Sequence, residues 1–374
     1  DEMNSVWTQT AELPRFRPLA QDLKTDVLIV GGGMAGLLCA FLLSQAGADY
    51  ALVEADRICG GITKNTTAKL TAQHGLIYHR LMDEFGADAA HLYLRVNLEA
   101  LERYRTLCRT IPCDFEEQDA YVYALNDRRS IDRELAALDA LGFPAGFATE
   151  LPLPFSVAGA VQFPQQAQFH PLKFAAAIAQ DLRIFEHTKV LELAPDRAVT
   201  NGGTIRAKKI VIATHFPLLN KHGGYFLKLY QHRSYVLVLK NAPNVGGMYV
   251  DKDKKGLSFR NYGGLLLLGG GSHRTGKRGG GWRELEEFAR TCYPATQVTA
   301  RWATQDCMTL DGAPYIGPYS KRTPNLYVAT GFNKWGMTSA MAAAMVLTDL
   351  VLERDNLYAP AFAPSRTVLR PQLA

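Results

Sequence analysis

The chain lacks an apolar run of the ~18–20 residues that a membrane-spanning helix requires. The stretch Ala340 to Leu352 is apolar but short, contains Thr348 and Asp349, and reads as a buried core helix. It lacks a secretion-signal pattern, since Asp1 to Thr10 are polar with one Trp. There is no internal repeat and no low-complexity segment. Six cysteines are scattered at Cys39, Cys59, Cys108, Cys113, Cys292 and Cys307. None forms C-x-x-C, and neither zinc-finger spacing nor the Cys-x-His pairs of a Rieske cluster occurs. That argues against a bound metal and for a reducing, cytoplasmic protein with free thiols.

A large excess of charge of either sign is also lacking. The formal net charge is +5 over 374 residues. The basic runs at 252–255 and 273–278 are short and lie beside glycines. No basic helix with interleaved aromatics accompanies them, so they read as solvated loops and nucleic acid is not an expected partner. What remains is an ordinary globular composition, 47% hydrophobic and 21% charged, long enough for one large domain or two interleaved ones.

The informative stretch is "DVLIVGGGMAGLLCAFLLSQAGADYALVEAD", residues 26–56. It reads strand, glycine turn, helix, strand, acid. The helix from Met34 to Gln45 is apolar nearly all round and should be buried against a sheet, with Gly47 as its stop. Helices follow over 76–111, ended by Pro112. "DAYVYAL" at 119–125 alternates as a strand, and 130–142 reads as a helix with a serine start and a glycine stop. A Pro-rich crossing, "LPLPFSVAGAVQFP", reads as a connection between parts. Another helix covers 170–181, and short strands lead to "KKIVIATH" at 208–215. The stretch 224–273 reads as an antiparallel sheet, and 325–352 reads strand, glycine turn, helix. Pieces of βαβ type therefore occur at the start, middle and end, which predicts two discontinuous domains.

Gly31-x-Gly33-x-x-Gly36 has a mechanical role at each glycine. The first permits the tight turn, the second lets backbone approach a pyrophosphate, and the third lets helix and strand pack. Gly32, Met34 and Ala35 complete the turn, whose free amides and helix dipole suit phosphate. Glu54 stands 21 residues after Gly33, placed to accept from ribose hydroxyls. FAD is favoured over NAD because only one such fingerprint is present. The C-terminal strand–turn–helix also suits a flavin ring: Gly331 and Gly336 allow backbone approach, and the helix from about Thr338 aims its positive end at the turn.

These segments together resemble the FAD-dependent superfamily of D-amino-acid oxidase, glycine oxidase and sarcosine oxidase, over roughly residues 5 to 365. The resemblance is most specific at the N-terminal fingerprint, at "KKIVIATH", and at "TLDGAPYIGP" (309–318) leading into "NLYVATGFNKWGM" (325–337). "ADRICGGITKNTTAKLTAQHG" (55–75) is similar to a bacterial branch that often carries a Rieske iron–sulfur domain, whose iron ligands are absent from these residues. The resemblance implies a mixed α/β fold with a Rossmann-type FAD-binding domain at 1–75, 155–215 and 305–374. An interleaved substrate domain built on an antiparallel sheet is then expected at 76–154 and 216–304. It implies FAD accepting a hydride from the carbon beside an amine nitrogen, an imine that hydrolyses, and oxygen or a protein partner as final acceptor. The open alternatives are a non-catalytic flavin-binding protein and a nicotinamide-dependent dehydrogenase.

By the same resemblance, Ala55, Arg57 and Gly61 follow Glu54 along the cofactor. Thr66, Thr67 and Ala68 run beside the pyrophosphate or simply cap a helix start. Val190 offers backbone to adenine or is a core valine, and Ala213 and Thr214 end the returning strand, with His215 a departure from relatives that more often carry glycine soon after this point. Lys334, Trp335, Met337 and Thr338 belong to the flavin turn. On the substrate side the candidates are Lys69, His74, Arg260 and Tyr262, with Gln73 beside His74. Arg260 is either a bidentate partner for a substrate carboxylate or a surface strand arginine. Tyr262, two residues on, should face the same side. A lone His such as His74 is either pocket-lining or structural.

Overall fold

The computed structural model describes residues 4–219 and 222–366. The chain divides into two compact units, each assembled from separated segments. One comprises Glu12–Thr63, Leu172–Gln231 and the residues from Asp306 onward; the other comprises the N-terminal residues through Ala11, Lys64–Pro171 and His232–Gln305.

The first unit is built on an eight-stranded, mainly parallel sheet. Its central strand, Leu23–Val30, pairs in parallel with Tyr50–Val53 on one side and Gly203–Ile212 on the other. Ile184–Phe185 and Leu326–Thr330 extend the parallel array outward, and Tyr315–Pro318 closes one edge antiparallel. These strands are apolar without alternation because both faces are covered. Val27 to Val30 and Tyr50 to Val53 are all buried. The helix Met34–Gln45 is buried from Met34 to Ala40, as its all-round apolar pattern predicts. It packs on the helix Gly336–Val351, whose residues Met337 to Thr348 are buried throughout. The apolar stretch near 340–352 is thus a core helix, and among the described residues no helix is long and apolar enough to cross a membrane.

The second unit carries a nine-stranded sheet. Most of its pairs are antiparallel, as expected, including the hairpin of Ser258–Tyr262 and Leu265–Arg274 turned by Gly263 and Gly264 at φ 53° and 79°. Two consecutive positive φ values are the turn whose twist matches a hairpin. One pair is parallel: Met248–Asp251 lies alongside Glu116–Ala124. These strands are far apart in sequence, so no hairpin dictates their direction. Helices Tyr78–Phe85 and Ala87–Cys108 divide the expected helical stretch at Gly86, with φ 87°.

Three expectations change. The Pro-rich crossing is largely a strand, Gly159–Gln168, paired with Glu116–Ala124 in this second sheet. Pro164 fits because the ladder slips there: Phe163 faces Ala120 and Gln166 faces Gln118. The missing N–H therefore falls at the irregularity. The helix read from Ser130 starts at Arg128, because Asp127 accepts from the Ser130 amide at 3.1 Å and so caps it. Residues 64–75 pack in this unit, where Lys69–Leu70 pairs with Gln168 and Ala167.

Candidate functional site

In the parallel-sheet unit, four neighbouring strands end on one edge. Register places Val53, Val30 and Ile212 side by side, with Val328 next to Ile212. The residues that follow are Glu54, Gly31, Ala213 and Thr214, and Gly331. Ligands of open parallel sheets bind at this carboxyl edge.

The glycine turn is tightly specified there. Gly31 has φ 113°, and a Cβ on it would fall on the Ala213 carbonyl. A Cβ on Gly36 would fall on the Gly31 carbonyl, and one on Gly32 would sit 2.9 Å from the Glu54 Cβ. These three positions are filled by the protein itself. Gly33 differs: a Cβ there would meet only Thr63 Oγ1, at 3.5 Å. Gly33 also caps the helix Met34–Gln45, whose first-turn amides include Ala35 and Gly36. The Met34 amide is taken by Thr63 Oγ1 at 3.1 Å, and a backbone approach left open at a helix N-terminus, whose first amides have no intrahelical acceptor, fits a pyrophosphate.

Glu54 is held in place by the amides of Gly32 at 2.7 Å and Asp56 at 2.9 Å. Its neighbours Ala55 and Gly61 are surface residues of the following loop. Arg57 is anchored by partners within its own unit. Its Nε donates to Glu186 at 3.0 Å and its Nη2 to the Pro14 carbonyl at 3.1 Å. Glu186, buried, also accepts from the amides of Ile58 and Phe16. Thr63 and Glu186 were missed by the sequence reading; only the threonine run after the glycines hinted at the first. Val190 opens the edge strand Val190–Ala194, outside the row of strand ends.

Ala213 donates its amide to Val30, and Thr214 Oγ1 turns back to the Phe216 carbonyl. His215 has φ 65°, the left-handed conformation that glycine adopts without strain. The C-terminal turn is pinned by Asn333, another residue the sequence reading passed over. Its Oδ1 accepts from the Thr309 amide at 2.7 Å, and its Nδ2 donates to the Gly331 carbonyl at 2.7 Å and the Gly312 carbonyl at 2.9 Å. Gly331, Asn333 and Lys334 all have positive φ. Trp335 caps the helix that Gly336 begins. Met337 and Thr338 are buried in its first turn beside Ser339, whose buried Oγ has no hydrogen-bond partner among the described residues.

The remaining candidates lie in the antiparallel unit. Thr66 accepts the Trp7 indole N–H at 2.7 Å, and its hydroxyl accepts the Ala68 amide. Arg260 is 1% exposed, which rules out the surface reading. Its Nη1 donates to the Thr67 and Ala68 carbonyls at 2.8 and 2.9 Å, and its Nε to Asn261. It is a clamp on residues 67–68. Tyr262 does share its side of the strand: Trp7 packs edge-on to the Tyr262 ring at 4.8 Å and under the guanidinium at 5.5 Å. The Tyr262 hydroxyl donates to Asp114, and burial, then that carboxylate, push its pKa up to about 12.

Lys69 is half-buried, with Nζ donating to Thr67 Oγ1 at 3.1 Å. Burial, then the Arg260 charge, pull its pKa down to about 7. His74 has both ring nitrogens engaged, by Tyr93 at 2.6 Å and the Thr71 carbonyl at 2.8 Å. Burial pulls its pKa down to about 3, so it is a neutral tie in the interior. Gln73 is tied similarly, donating to the Val161 carbonyl.

The family model of FAD dependent oxidoreductases, DAO, matches residues 26–350. The chain belongs to this family. It is an FAD-dependent oxidoreductase, with FAD as its cofactor. Among curated proteins it is 35% identical to a Bacillus subtilis (strain 168) protein named for a Rieske 2Fe-2S iron-sulfur centre, over 99% of this chain and 77% of that one. It is 24% identical to gamma-glutamylputrescine oxidoreductase of Escherichia coli K12, over 90% of this chain and 85% of that one. Among solved structures, glycine oxidase of Geobacillus kaustophilus superposes with a TM-score of 0.77 at 22% identity, covering 92% of this chain and all 100% of that one. L-proline dehydrogenase of P. horikoshii gives 0.77 at 18% identity, covering 92% and 97%. These superpositions bear out the mixed α/β, oxidase-like fold expected above.

Proposed function

We propose that this oxidoreductase oxidises a carbon–nitrogen bond of a small amine or amino acid to an imine, which water then hydrolyses. One observation carries the reading: an open glycine position at a helix N-terminus, backed by Glu54, at the carboxyl edge of the parallel strands. On this reading the parallel-sheet unit is the FAD-binding domain and the antiparallel unit the substrate domain. FAD supplies, when bound, the two-electron acceptor. Gly31 to Gly36 would hold its pyrophosphate, Glu54 its ribose, the Val190 backbone its adenine, and Gly331 to Thr338 its ring system. The amine class is supported by the named relatives, which concern gamma-glutamylputrescine, glycine and L-proline.

The substrate must react as a neutral amine. Lys69 Nζ is assigned the proton, because its pKa near 7 lets it accept one at neutral pH. Arg260 acts through the loop it clamps and is a positioning residue. Tyr262 supports Trp7, and His74 braces the turn at 71–74. Electrons would leave to oxygen or a protein partner, in the cytoplasm.

The test is an anaerobic visible spectrum before and after adding pooled amines and amino acids. Bleaching of a yellow protein is expected. A flavin that every member of the pool leaves oxidised would overturn the amine reading but not FAD binding. A chain that stays colourless after reconstitution with FAD would overturn the cofactor site.

A further inference from the structure

The helix Ala87–Cys108 ends on a cysteine, and Pro112 keeps it from continuing. The amides of Thr110 and Ile111 both turn back to the Leu107 carbonyl, at 3.2 Å. This tight turn brings Cys113 under the helix end, with its thiol 3.4 Å from Cys108 Sγ. Cys113 is buried and Cys108 half-buried. Both line an open cavity of about 440 Å³, together with Arg105, Arg109 and Asp114. Closing a disulfide from this distance needs roughly 1.4 Å of sulfur movement.

We propose that Cys108 and Cys113 are a thiol–disulfide exchange site that takes a low-molecular-weight disulfide and closes to a reversible intramolecular bridge. The more accessible Cys108 thiolate attacks the small disulfide and releases one thiol. Cys113, deprotonated, then attacks the Cys108 sulfur and releases the second thiol. Two protein thiols and one small disulfide become one protein disulfide and two small thiols. The protein loses two electrons and the ligand gains them. The Cys113 thiol alongside it, and then burial, push the Cys108 thiol up. Exchange is therefore slow at neutral pH and quickens as pH rises. The bridge would also reach the candidate substrate residues. The Cys113 carbonyl accepts the His170 amide at 2.8 Å, and the next residue, Asp114, accepts the Tyr262 hydroxyl at 2.9 Å.

The holoenzyme is equilibrated with oxidised and reduced glutathione at about pH 8.5, where an ordinary thiol is half ionised, then alkylated and digested without reduction. Trypsin cuts between the two cysteines at Arg109, so the bridge joins peptides 106–109 and 110–128. The expected result is this joined pair, less two hydrogens, its fraction rising with the oxidised share and falling on return to reductant. Cys113→Ser should stop at a glutathione adduct on Cys108, and Cys108→Ser should abolish the bridge. Both cysteines remaining alkylable at the most oxidising ratio would overturn the proposal. So would a glutathione adduct that persists on Cys108 of the wild-type chain.

Discussion

Replacing Gly33 with alanine should separate cofactor binding from folding. Gly33 has φ −77° and ψ −177°, a conformation open to any residue. The added Cβ would make one ordinary contact, at 3.5 Å to Thr63 Oγ1. Alanine is a poorer helix cap than glycine, but it also narrows the unfolded ensemble. The two effects oppose, so the stability of the FAD-free chain should move by no more than about 1 kcal/mol. The same methyl lies where backbone must approach the pyrophosphate. Losing two amide hydrogen bonds to a charged group, at about 1.5–3 kcal/mol each, weakens FAD at least roughly 100-fold. Gly36→Ala is the contrast. Its Cβ would overlap the Gly31 carbonyl, a backbone atom inside the core. That should exceed about 4 kcal/mol and unfold the unit with or without FAD. Urea denaturation of the stripped proteins and FAD titration by flavin fluorescence give the two readouts. Wild-type FAD affinity in Gly33→Ala would refute the placement of the pyrophosphate. Equal destabilisation by the two variants would refute the reasoning from open space.

His74 has its pKa pulled from 6.5 to about 3, so it stays neutral in the native chain while the unfolded chain takes up a proton. Its stabilisation is complete above about pH 6.5 and is lost as pH falls toward 3, at up to about 1.4 kcal/mol per pH unit. His74→Gln should flatten the fall in unfolding free energy between about pH 6.5 and 4, and an unchanged slope would count against the buried-neutral assignment. Lys69 is the converse in range: its pKa falls from 10.5 to about 7, so unfolding takes up a proton between those values and stability rises with pH across them. Lys69→Met should remove that rise, measured by denaturation at about pH 7 and 9. It should also remove an ionisation near neutrality from the kcat/KM profile; a profile that keeps it would place the proton elsewhere. Arg260→Met should lower stability by about 2–4 kcal/mol, because the carbonyls of Thr67 and Ala68 lose a charged donor. It should also raise the Lys69 pKa, and a Lys69 titration that does not move would show that burial alone sets it.

Much of the candidate nucleotide site's local structure was legible because it is local. The strand, the glycine turn, the helix and Glu54 lie within residues 26–56, and their spacing alone brings the acid back to the Gly32 amide. The all-apolar helix announced its burial by having no polar face. The partners of Arg57 were hidden for the opposite reason. Its partner Glu186 is 129 positions away, and no local pattern marks that carboxylate as buried. The buried partners of Arg260 were hidden similarly: "LSFRNY" looks like any exposed strand, which left its surface alternative open, and the carbonyls it clamps are 193 and 192 positions distant. Pro164 hid a strand because proline is excluded from regular ladders, and the bulge that admits it exists only once the partner strand is present.

What the sequence by itself determined is therefore the strand–glycine turn–helix unit and the acid that returns to it, which follow from periodicity and spacing over a few tens of residues, while the mixed α/β class followed from the family resemblance those segments carry. The tertiary structure alone decided that Arg260 grips a loop, that His74 is a neutral tie, that Lys69 titrates near neutrality, and that Cys108 and Cys113 touch. Each of these depends on desolvation or on partners brought from distant segments. A side chain's charge and reach are written in its residue type, but its neighbours and its dielectric surroundings come into being only when the chain has folded around it.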